Sequence, residues 1–129
     1  MSHVHNLRVY YEDTDLAGIV YYANYLKFIE RGRTEYVRDV GVDQTKLKSE
    51  HGVVFAVTRI EADYLSPAKF DDELTVETDV VRTTPARLVM KQVVKRGETR
   101  LFEALVTLAA LTEAGKPARL PAELRQQFI

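Results

Sequence analysis

A chain of 129 residues with 46% hydrophobic and 29% charged side chains has the balance of one folded domain. At that size it needs no metal or disulfide to hold a core, and it is not a disordered chain. A count of 18 Lys and Arg against 19 Asp and Glu leaves no basic excess to draw nucleic acid, and the absence of Cys excludes disulfides, thiolate nucleophiles and thiolate metal sites.

No apolar run approaches the roughly 18 residues of a membrane span, and the opening MSHVHNLRVYYEDTD is too polar for a signal peptide. The expectation is a cytoplasmic protein with a single domain over residues 1–129. Residues 3–11 read as a strand, with Val, Leu and Tyr at β-favouring positions. From Tyr22 to Val40 the texture changes. Tyr25, Phe28, Ile29, Gly32, Tyr36, Val37 and Val40 follow the spacing of one helix face, and Gly41 stands where a left-handed cap belongs. Gly32 inside that helix costs about 1 kcal/mol relative to Ala, which close approach to a sheet would explain.

A shorter helical segment over 42–52 stops at Gly52. Strand patterns then occupy 53–65, 73–83, 86–96 and 99–112, with hairpin-like connections, and Pro121 opens a closing helix over 121–128. The strand at 99–112 carries apolar residues on both faces, as expected of a strand inside a sheet. One long helix and five long, mostly antiparallel strands define an α+β layer arrangement, with the sheet curved around the helix.

No phosphate-binding loop, dinucleotide-binding fingerprint, GxSxG elbow or HExxH motif occurs. His3 and His5 form an H-x-H with no third ligand nearby, and His51 sits at a helix end beside Gly52. No metal site is expected from them. Glu30 with Arg33 and Glu35 with Asp39 read as exposed-face charges of the long helix or as interfacial pairs, and Tyr36 and Tyr64 as core or interface packing residues.

The segment YYEDTDLAGIVYYANY, residues 10–25, is different. An acidic residue before a helix ordinarily caps it, yet Asp15 lies seven residues ahead of Tyr22, and the intervening LAGIVYY is apolar. A carboxylate in a partly dehydrated pocket is costly unless it is hydrogen bonded or used. Free N–H groups at a helix start can polarise a carbonyl, and a carboxylate beside them can attack it or deprotonate a water. Acyl transfer to water is the reaction class this arrangement suggests.

The same string, continued to YYEDTDLAGIVYYANYLKFIERGRTEYVRDVG, resembles the acyl-CoA thioesterases of the YbgC and 4-hydroxybenzoyl-CoA thioesterase type. DYLSPAKFDDELTVET and RLPAELRQQF extend the resemblance over almost the whole chain. It implies a hotdog fold, a sheet wrapped around one long central helix, and hydrolysis of an acyl-CoA without a cofactor, CoA being part of the substrate. Asp15 matches the catalytic carboxylate, as nucleophile or general base; Tyr22 matches the residue whose backbone N–H polarises the thioester carbonyl; Gly18 matches the small residue between them. Asn24 and Tyr25 match a step that fixes the helix start. YbgC-type members commonly carry His where this chain has Tyr22, so the chemistry is expected to lean on Asp15 without an imidazole.

By the same resemblance the working unit is a homodimer that assembles into a homotetramer. Phe55 and Val57 are then candidates for the acyl pocket, and Lys69, Arg82 and Arg87 for the CoA phosphates. Two other classes compete. A hotdog dehydratase would need a His near the helix start, and none stands there. A weakly catalytic partner protein, docking on an acyl carrier protein or on phospholipid-synthesis enzymes and linked to the Tol-Pal system, is the alternative.

Overall fold

The computed structural model describes residues 2–128. Its elements run β1 (His3–Arg8), α1 (Asn24–Asp39), α2 (Gln44–His51), β2 (Val53–Tyr64), β3 (Glu73–Thr83), β4 (Arg87–Arg96), β5 (Thr99–Thr112) and α3 (Ala122–Arg125). The strands form one sheet in the order β1-β3-β4-β5-β2, every pair antiparallel. This is the expected α+β arrangement, a curved sheet around one long helix.

Three expectations are corrected. The first strand stops at Arg8, three residues early, because Tyr11–Asp13 turn into a 3-10 helix once the Asp13 carboxylate accepts from the Tyr10 N–H at 2.8 Å. The long helix begins at Asn24, with Tyr22 and Ala23 in the preceding turn. Nor is the connection from β2 to β3 a hairpin: β2 pairs with β5 and β3 with β1 and β4, so residues 65–72 carry the chain from one edge of the sheet towards the other.

Alternation along the strands decides what faces the helix. Leu74, Val76 and Thr78 of β3, Leu88, Met90, Gln92 and Val94 of β4, and Phe102, Ala104, Val106 and Leu108 of β5 all turn inward and are buried. Against them α1 lays Tyr25, Phe28, Ile29, Gly32 and Val37. At Gly32 the approach is closest: a Cβ there would stand 2.6 Å from Val76 Cγ1.

Two fully buried polar side chains lie under the same stretch of helix. Gln92 Nε2 donates to the Ile29 carbonyl at 2.8 Å and to Thr78 Oγ1 at 3.0 Å, while its Oε1 accepts from Arg33 Nη1 at 3.0 Å. Arg33 is therefore half-buried, and burial lowers its pKa, the nearby Glu30 opposing. Left unpaired, such a buried amide would cost about 1–3 kcal/mol.

The Gly32–Val76 contact makes a prediction against helix propensity. Ala in place of Gly gains about 1 kcal/mol in a helix interior, but an overpacked core loses about 1–3 kcal/mol. Gly32→Ala is expected to lower the unfolding free energy in a urea titration, with Val76→Ala in the same chain restoring room for the methyl group and recovering part of the loss relative to Val76→Ala alone.

Candidate active site

Residues 9–23 lead from β1 into α1, and hydrogen bonds made within this loop set its course. Asp13 is spent on geometry. Besides its side chain holding Tyr10, its carbonyl accepts from the Tyr21 N–H at 2.9 Å and from Asn24 Nδ2 at 2.9 Å. Asn24 thereby ties the helix start to the loop, the structural role expected of it.

Asp15 is placed by a tight turn. Its N–H donates to the Ile19 carbonyl at 2.9 Å, and its carbonyl accepts from the Gly18 N–H at 3.0 Å. Gly18 has φ +80°, a left-handed conformation that disfavours any side chain. One carboxylate oxygen, Oδ1, accepts from the Ala17 N–H at 2.9 Å; the other has no hydrogen-bond partner among the described residues. Asp15 is half-buried and does not cap α1.

A cavity of about 400 Å³ opens beside this carboxylate. Tyr21, Tyr22, Tyr25, Tyr64 and Pro67 contribute to its walls together with Asp15. The rings support one another: Tyr25 stacks on Phe102 with centroids 5.1 Å apart, and Tyr64 meets Tyr22, Tyr25 and Phe102 edge-on at 6.3, 5.6 and 5.0 Å. Tyr64 also donates from its hydroxyl to the Tyr22 carbonyl at 2.9 Å. The Tyr21 hydroxyl is held above its ordinary pKa, first by the neighbouring Tyr22 side chain, then by desolvation and the Asp15 carboxylate. It stays a protonated donor through the neutral range.

At the helix start, the Asn24 N–H donates to the Tyr21 carbonyl at 2.8 Å. The Tyr22 and Ala23 N–H groups have no partner among the described residues. A carboxylate with a spare oxygen thus shares an apolar, aromatic cavity with Tyr22, whose N–H and that of the adjoining Ala23 are unpartnered. Such a combination can activate a nucleophile and stabilise negative charge on a carbonyl oxygen.

The wall opposite the loop is a turn over residues 66–72. The Ala68 carbonyl accepts from the Val20 N–H at 2.8 Å, and its N–H donates to the Tyr25 hydroxyl at 2.9 Å. Asp72 holds this turn by accepting from the Lys69 N–H at 2.9 Å and from Arg96 Nη1 at 2.8 Å. Burial pushes the Asp72 carboxyl pKa up, but the Lys69 N–H and the Arg96 guanidinium outweigh it and hold the group below its ordinary value.

The candidates from sequence separate into groups. Asp15 and Tyr22 share the cavity, with Gly18 in the turn behind it. Phe55 and Val57 lie elsewhere in the chain, around a cavity of about 170 Å³ with Glu30 and Arg33 of α1. Lys69 has an exposed side chain, and its backbone bridges to Ile19. Arg82 and Arg87 come together with Arg59 around a depression of about 580 Å³.

That depression is remote from Asp15. Thr107, Val89 and Arg82 stand in register with Arg59, whereas Phe102 and Val94 stand in register with Tyr64. Five residues separate the two rows, roughly 17 Å at about 3.3 Å per residue, and the odd number puts them on opposite faces of the sheet. Sequence reading missed Tyr21 and Tyr64 as parts of the site, although Tyr64 and Pro67 both fall in the DYLSPA string. Among the described residues no group of three or more His, Asp or Glu could hold a metal ion, and no helix is long and apolar enough to cross a membrane.

Fold and site together define a hotdog thioesterase, and residues 17–116 match the thioesterase superfamily, to which this chain belongs. The acyl-CoA thioesterase YbgC of Haemophilus influenzae is 41% identical over 124 residues, covering 95% of this chain and 90% of that protein. The acyl-CoA thioester hydrolase YbgC of Escherichia coli O6:H1 is 38% identical, covering 95% and 92%. A crystal structure of a "probable thioesterase" from Bartonella henselae superposes with a TM-score of 0.89 at 42% identity, covering 94% of this chain and all of that one.

The turn over 66–72 gives a pH dependence whose sign is fixed. With its folded-state pKa depressed, Asp72 adds stability at pH values above the ordinary carboxylate range, and that stability is lost as the pH falls through the folded value. The difference in unfolding free energy between wild type and Asp72→Asn is therefore expected to be full near neutrality and to shrink in acid, as read by denaturant titrations across that range.

Proposed function

We propose that the protein hydrolyses acyl-CoA thioesters to free CoA and a carboxylic acid, with Asp15 as the catalytic carboxylate and the helix start at Tyr22 stabilising the developing oxyanion. The observation that carries this reading is that Asp15, one oxygen unused, and Tyr22 line one apolar cavity, with the N–H groups of Tyr22 and the adjoining Ala23 unpartnered. As general base, Asp15 takes a proton from water while the oxygen adds to the thioester carbon; collapse of the tetrahedral adduct breaks the C–S bond and expels the CoA thiolate, which takes up a proton. As nucleophile, its carboxylate adds directly, expels the thiolate and leaves a mixed anhydride that water opens. Both routes use the same atom, and both need the N–H groups where negative charge develops.

The working unit is a homodimer, pairing again into a tetramer. β2 is an edge strand, and its inward-facing Val57 and Ile60 are 44% and 36% exposed. A second β2 running antiparallel along this edge, with its two-fold axis at Ile60, sets Val57 of one copy opposite Asp63 of the other, one residue from Tyr64 of the Asp15 cavity. Phe55 and Val57 then serve the acyl group of the neighbouring site. Arg82 and Arg87, joined by Arg59, take the CoA phosphates from the outer face. Acyl groups on a carrier protein are a second source of the same thioester, and the setting is cytoplasmic.

Thiol release from short-chain, long-chain and aromatic acyl-CoAs tests the reading. Wild type is expected to turn over at least one of them, and Asp15→Asn to lose at least about 100-fold in kcat while remaining folded. Wild-type rates in the Asn variant would make Asp15 structural.

A further inference from the structure

Tyr64 is the one side chain of the cavity whose hydroxyl binds the backbone of the helix start. Its O–H donates to the Tyr22 carbonyl at 2.9 Å, across 42 residues of sequence. The ring is half exposed, yet held edge-on by Tyr22, Tyr25 and Phe102. Nothing in α1 takes up that carbonyl: the Leu26 N–H bonds to the Ala23 carbonyl at 3.2 Å instead.

A trans peptide unit is planar, with its C=O and N–H antiparallel, so fixing the carbonyl fixes where the next N–H points. None of the peptide bonds here is cis. The Tyr21 carbonyl, held by the Asn24 N–H, fixes the Tyr22 N–H; the Tyr22 carbonyl, held by Tyr64, fixes the Ala23 N–H. Neither of these N–H groups has a hydrogen-bond partner among the described residues. The first is locked from within the turn. The second is locked only from β2.

Resting on the hydrolase reading above, we propose that Tyr64 is a positioning residue for the oxyanion-stabilising turn, acting through the Tyr22 carbonyl. It does two things. The Tyr22–Ala23 peptide keeps one orientation before substrate arrives, which preorganised electrostatic stabilisation requires. It also occupies the carbonyl oxygen, whose partial negative charge would otherwise stand bare at the wall of a cavity where a second negative charge must form. Because the adduct carries that charge and the bound thioester does not, the contribution falls on kcat more than on KM.

Tyr64→Phe removes one oxygen and keeps the ring contacts. With wild type and Asp15→Asn run in parallel on the best acyl-CoA, Tyr64→Phe is expected to lower kcat roughly tenfold with KM within about twofold. Its melting temperature should stay near that of wild type, and its Ala23 amide resonance should shift in an ¹H–¹⁵N spectrum of the free protein. A wild-type kcat in the Phe variant overturns the assignment while leaving hydrolysis intact. So does a rise in KM that accounts for the whole loss, or an unmoved Ala23 amide, since Tyr64 would then act on the substrate directly. If wild type releases thiol from none of the acyl-CoAs, the hydrolase reading itself fails and this assignment falls with it.

Discussion

The separation of α1 from the sheet is the constraint on which the rest of the structure depends. At Gly32 there is no room for a methyl group above Val76, and Gln92 reaches up from β4 to the Ile29 carbonyl one turn earlier. These contacts fix the helix in height and in rotation. With those set, Tyr25 falls against Phe102, its hydroxyl reaches Ala68, and the start of the helix arrives over the end of β2. The cavity is thus a consequence of packing several turns away from it.

Within the DxD string the two carboxylates divide the work by what they bind. Asp13 is consumed by Tyr10 through its side chain and by Tyr21 and Asn24 through its carbonyl. Asp15 is held by a single side-chain bond to Ala17 and keeps one oxygen available. Two acidic residues of the same type, two positions apart, therefore contribute to different levels of the molecule. One shapes the loop that presents the other.

Much of this was readable from residue order. The bounds of β3 and β5 coincide with the sequence reading because turn residues close each run, Thr84-Pro85 after one and Gly97-Glu98 before the other. Gly32 announced a close helix–sheet contact; of the apolar string after Asp15, Ile19, Val20, Tyr21 and Tyr22 line the cavity while Leu16 stands fully exposed. What stayed hidden depends on contacts between distant segments. Strand pairing across 65–72 leaves no mark in periodicity, so the β2–β3 connection looked like a hairpin. Tyr64 looked like a packing residue because its partner is a backbone carbonyl, and carbonyls carry no sequence signal. The bond from Arg33 to Gln92 stayed hidden because a helical position says nothing of a Gln waiting on the sheet below.

The distance between the Asp15 cavity and the Arg59, Arg82 and Arg87 cluster has an evolutionary consequence. The cavity and the cluster have no lining residue in common and occupy opposite faces of the sheet. Substitutions that reshape the cavity therefore leave the guanidinium groups where they are, and changes at the β3–β4 turn leave the aromatic walls intact. Under the proposed reading, the part of the ligand that differs from substrate to substrate and the part common to all of them are held by separately mutable pieces of one small sheet. Such a scaffold can drift to a new acyl group by single steps without first surrendering its grip on the carrier.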